Sequence, residues 1–189
     1  MLRNATTTSI CILLLAACSG REGADTDAAH RVKSSDLSEE DAKSVHFVKS
    51  VADHYKELAA ARDAGYSVQY PEGCVQQDGG AQGVHFGNPL LLDGRAEMNR
   101  PELLVFEPQS NGSMVLVGVN YVIPFEHWKD KDPPQLIGRR FMRNEKLQAW
   151  DLHIWTHRTN PNGVFAMSNP NVTCRSARAR AVPASAQPQ

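Results

Sequence analysis

Two apolar runs joined by an Asn-Gly turn constrain this chain more than any other feature. Residues 101–107 read PELLVFE and residues 113–123 read SMVLVGVNYVI. Both are rich in branched and aromatic side chains, which suit a pleated, half-buried surface. Between them lies Pro108-Gln109-Ser110-Asn111-Gly112. Asn111 and Gly112 supply the backbone freedom that a tight hairpin needs. The natural product is an antiparallel pair. Side chains alternate across a strand, so Val115, Val117, Val119, Tyr121 and Ile123 are expected on one face of the second strand. Met114, Leu116, Gly118 and Asn120 are expected on the other.

A third strand is expected over residues 147–156, LQAWDLHIWT. It runs toward Asn160-Pro161-Asn162-Gly163, a turn by composition. Trp150, Leu152 and Ile154 form a core-like face. The opposite face carries Asp151, His153 and Trp155, with His157 next if the strand continues. An acid, an imidazole and an indole together are more than a core requires, so this face is where chemistry is sought. A second histidine, His85, lies in the short extended piece GVHFGNP at residues 83–89. The rest of residues 66–88 is Gly-rich and reads as irregular. No Gly-Lys-Ser/Thr follows these glycines, so they do not form a phosphate-binding loop.

Residues 38–64 read as one long N-terminal helix. Ser38 with Asp41 three residues later resembles a capping box. Val45, Val48, Ala52, Tyr55 and Ala59 recur at helical spacing, and Gly65 is a natural stop. The expected fold is therefore α+β: an antiparallel β-sheet packed against one long helix, closed by one disulfide.

The ends carry an address. Arg3, the apolar residues 10–15 and Leu15-Ala16-Ala17-Cys18 look like a bacterial lipoprotein signal. Residues 1–17 are expected to be removed and Cys18 lipidated, which makes the lipid the membrane anchor. Ser19 after the cysteine fits an outer-membrane lipoprotein facing the periplasm. Residues 18–37 are small, polar and charged and read as a flexible tether, with His30 solvated. The domain is expected over 38–174, and 175–189 as a disordered tail. Of the four cysteines, Cys74 and Cys174 then remain in the domain. In an oxidising compartment they are expected to pair. The competing reading makes them thiolate metal ligands, although neither has a Cys or His neighbour at zinc-ligand spacing. The net charge of −1 implies no nucleic-acid partner.

The motifs Gly83-Val84-His85-Phe86-Gly87-Asn88-Pro89, Pro101-Glu102-Leu103-Leu104-Val105-Phe106-Glu107-Pro108 and Leu152-His153-Ile154-Trp155 come in order along the chain. Asn160-Pro161-Asn162-Gly163-Val164-Phe165-Ala166 and Asn169-Pro170-Asn171-Val172-Thr173-Cys174 follow. Together they resemble a widespread group of uncharacterised bacterial secreted and lipid-anchored proteins. The resemblance runs from the helix to Cys174 and implies no activity. Members of the group often carry Glu where this chain has Asn120, so a role that rests on that carboxylate does not carry over.

Chemically, the sharpest expectation is a small ligand or a divalent transition metal on a His85/His153 face. Asp151 or Glu97 are candidate oxygen donors, and Trp155 a candidate wall. His153 and His157 would lie ~13 Å apart on a regular strand and cannot share an ion. A His/carboxylate-assisted or metal-dependent envelope enzyme is the alternative. Covalent catalysis has little support, because no serine sits in a Gly-x-Ser-x-Gly elbow. The third reading is a structural or interaction module that meets another envelope protein through its aromatics.

Overall fold

A computed structural model describes residues 29–177. Residues 1–17, Cys18 and the far end of the expected tail lie outside the described residues. Helix α1 (Glu39–Ala52) starts where its cap predicts: the Ser38 side chain accepts a hydrogen bond from the Asp41 backbone N–H at 3.1 Å. Val48 and Ala52 are fully buried on its inner stripe. The helix does not run unbroken to residue 64. A 3-10 turn (Asp53–Tyr55) intervenes, and a short α2 (Leu58–Asp63) follows. No Gly or Pro marks the break, so the apolar periodicity reads through it. What holds the break is Asp53, whose Oδ1 meets His157 Nε2 at 2.8 Å and Lys56 Nζ at 2.9 Å.

The main sheet has the strands β1 (Val68–Gln77), β2 (Gly80–Gly87), β3 (Leu103–Pro108), β4 (Met114–Pro124), β7 (Met142–Asn144) and β8 (Ala149–Ile154). Their order is β1-β2-β3-β4-β8-β7, and every pairing is antiparallel. A separate two-stranded ribbon joins β5 (Gln135–Leu136) to β6 (Arg139–Arg140). The fold is thus α+β with a curled antiparallel sheet. The β3–β4 hairpin forms over the Asn-Gly turn, where Asn111 Oδ1 accepts from the Ser113 N–H at 3.0 Å.

Residues 66–88 are not irregular: they supply two paired strands. The polar residues of β1 hid it, as did a register irregularity between Gln69 and Cys74. An edge strand tolerates both, because one of its sides pairs with no strand among the described residues. The expected faces of β4 also need correction. A bulge between Val105 and Phe106 skips one residue of β4, so Leu116 joins Val119, Tyr121 and Ile123 in the main core. Val117 goes to the opposite face with Val105 and Trp155. One extra residue in a ladder reverses side-chain parity beyond it.

Cys74 and Cys174 form a disulfide, so the thiolate-ligand reading of this pair is excluded. The convex face of the sheet packs on α1 and α2 around Phe86, Phe106, Tyr121 and Leu152. The other face lines the inside of the curl. Residues 29–33 lie across its rim rather than hanging in solvent: Val164 N–H donates to Val32 O at 2.8 Å, and His30 is 2 % exposed. This part of the expected tether therefore belongs to the folded body. Among the described residues, no helix is long and apolar enough to cross a membrane.

Candidate functional site

His85 sits on β2 and His153 on β8, with β3 and β4 between them. In a flat sheet three strand spacings amount to ~14 Å. Yet His85 Nε2 and His153 Nε2 are 3.0 Å apart. The curl makes that possible by turning both side chains toward a common interior. The rings meet edge to face at 88°, and both are essentially excluded from solvent. Trp155 lies nearly parallel to His153, at 22° and 6.1 Å between centroids. Its indole N–H donates to Ala166 O at 2.6 Å, which fixes the ring as a wall.

The electrostatics follow from burial. Loss of solvent pushes His85 down to about 4. It pushes His153 well below its ordinary value too, helped by the neighbouring His85 and His30. Burial thus favours the neutral form of both imidazoles. In a neutral pair one Nε2 donates and the other accepts, so one ring carries its proton on Nδ1. Neither Nδ1 has a hydrogen-bond partner among the described residues. The same holds for Asn120 Oδ1, directly opposite His153 on β4, and for Asp151 Oδ1. An unsatisfied buried polar group costs about 1–3 kcal/mol. Four on one concave face call for partners that the described residues do not supply.

The other expected site residues fall in different places. Asp151 shares the interior face, but its Oδ2 accepts from Asn144 Nδ2 at 2.8 Å. Burial raises its pKa to about 6. Glu97 is not in the site: it pairs with Arg100 at 3.4 Å near the surface. His157 leaves the strand and turns to Asp53, away from the interior. The turn residues Asn160 and Gly163 are structural. Asn160 Oδ1 accepts from the Asn162 N–H at 3.0 Å, and Gly163 faces the backbone of residues 30–31. Among the described residues, no group of three or more His, Cys, Asp or Glu side chains is arranged to hold a metal ion. Asn120, in register with His153, adds an unpartnered amide oxygen to this face.

Two clefts flank the curl. One, of about 270 Å³, is lined by His30, Met142 and Met167 among others. The second, of about 340 Å³, lies between the edge strands β1 and β7 and shares the same two methionines. Sequence reasoning missed His30, Met142 and Met167 as lining residues. Its one available hint was that Met142 and Met167 lie outside the alternating apolar runs that form the core.

No family model, no curated protein and no solved structure matches the chain.

Proposed function

We propose that this is a bacterial lipid-anchored envelope protein that binds a divalent transition metal between His85 and His153. It would belong with the uncharacterised secreted and lipid-anchored proteins it resembles, held by Cys18 to the outer membrane and facing the periplasm. The observation that carries the metal reading is the 3.0 Å approach of two neutral Nε2 atoms in a buried, curled sheet. Imidazole nitrogens bind zinc at about 2.0–2.1 Å, so two such bonds to one ion across this separation enclose roughly 90–100°. That angle is closer to the tetragonal geometry of copper(II) than to the tetrahedral geometry of zinc. Asn120 Oδ1, buried and opposite His153, is the oxygen donor in reach of this face. The chain's own residues do three things for such an ion: burial keeps both imidazoles deprotonated, Trp155 holds the His153 ring, and the apolar walls exclude competing water.

The test uses the full chain without a metal-binding tag, stripped with chelator and titrated with zinc, copper(II) and iron(II). Near-stoichiometric uptake is expected, with a change in indole fluorescence that disappears in Trp155→Phe. His85→Ala and His153→Ala, each shown folded by circular dichroism, are expected to lose uptake. Absence of uptake for all three ions, or uptake unchanged in the double alanine variant, overturns the metal reading. The interior would then be tested as a small-ligand cleft by thermal shift.

A further inference from the structure

The cleft beside the interior pair carries a different chemistry. We propose that it is a second, soft-donor site, in which the thioethers of Met142 and Met167 and the imidazole of His30 hold a copper(I) ion. All three residues line one cleft of about 270 Å³. Met142 and Met167 also belong to the lining of the groove between β1 and β7, so the two openings share both residues. The chain has five methionines. Among the described ones, Met98 and Met114 pack against the main core, while Met142 and Met167 belong to no core cluster. Thioethers are uncharged and polarisable. They bind zinc poorly and favour copper(I), and one imidazole completes a three-donor set for it. Arg31 and Asp78, which also line the cleft, carry opposite charges and leave it close to neutral. A monovalent ion is tolerated in such surroundings better than a divalent one.

His30 is held for this role by backbone contacts. A Cβ on Gly163 would stand 2.6 Å from His30 O and from Arg31 Cα, so only glycine lets residues 30–31 lie this close. His30 is nearly excluded from solvent although it belongs to the lining of the cleft. The soft site does not rest on the interior reading. Its donors are separate from His85 and His153, and loss of that pair leaves them in place.

The experiment offers copper(I) as its bicinchoninate complex, without oxygen, to the full chain. Withdrawal of one copper(I) is followed by loss of the complex's visible absorbance. The wild type is expected to withdraw one equivalent. Met142→Leu/Met167→Leu conserves volume and is expected to fold, as a thermal melt checks. Its copper(I) affinity is expected to fall at least tenfold, with zinc uptake unchanged. X-ray absorption of the wild-type complex is expected to show sulfur neighbours that the leucine variant lacks. His30→Gln is expected to remove the nitrogen neighbour. The His85→Ala/His153→Ala variant is expected to keep copper(I). Equal competition by the leucine variant and the wild type overturns the proposal, as does a copper spectrum without sulfur. Loss of copper(I) only in the double alanine variant would assign the ion to the interior pair and also overturn it.

Discussion

Glu102 is a carboxyl group set in an apolar wall. It is 1 % exposed, and its Oε2 accepts from the Val122 N–H at 3.0 Å. Burial pushes it up to about 8 despite that bond. A raised value means that the fold prefers the neutral acid. Stability from this group is complete below its ordinary value of 4.5 and is lost as pH rises through about 8. Asp151 has the same sign, and its loss ends near 6. His85 and His153 have the opposite sign. Their depressed values make the folded state resist protonation, so stability falls as pH drops below 6.5. Below 6.5 the two trends oppose each other and the profile is shallow. Between 6.5 and 8 Glu102 sets the slope, up to about 1.4 kcal/mol per pH unit for one proton. Urea denaturation across that window should show stability falling in the wild type and level in Glu102→Gln. Parallel curves for the two proteins would refute this assignment. Residue identities of this kind were partly legible: His85 and His153 stood out by type, while Glu102 looked like part of an ordinary strand. Nothing in the spacing of a glutamate tells whether its carboxyl meets water.

Among the elements, the β3–β4 hairpin could be read because its turn chemistry and its strands agree. The cap of α1 could be read for the same reason. The break at Asp53 could not, because its cause is His157, 104 positions away. β1 was hidden by polar residues that only an unpartnered edge permits, and the parity of β4 by a bulge that its own sequence does not announce. The disulfide joins that edge strand to the last loop across 100 residues. Replacing both cysteines by alanine is expected to cost about 2–5 kcal/mol, read as a lower urea midpoint with the fold retained. An unchanged midpoint would mean that the loop is held otherwise, by Glu107. That carboxylate accepts from Thr173 N–H at 3.0 Å and from Arg158 at 2.6 Å. The strip at residues 29–33 depends on Gly163, which has φ +122. Gly163→Ala is expected to release it, seen as rapid protease cleavage before residue 34. Continued protection there would show that the strip docks by other means.

As a whole, the molecule is a shell with two interiors. The convex side of the sheet meets the helices, and Phe106 and Phe86 cross edge to face at its centre, 5.7 Å between centroids. Phe106→Ala is expected to cost about 3–5 kcal/mol, measured by denaturant titration, and a loss under 1 kcal/mol would place the core elsewhere. The concave side holds the histidines. Their meeting could not be read from the sequence, since strand spacing alone keeps β2 and β8 far apart and only the curl joins them. That curl stops short of a closed barrel. β1 and β7 face each other across a groove and share no ladder. A shell with an open seam can breathe along it while its central strands stay paired. Backbone amides of β1 and β7 should then exchange with deuterated solvent orders of magnitude faster than those of β3 and β4. The traffic of anything that enters the interior would be set by that opening rate and not by global unfolding.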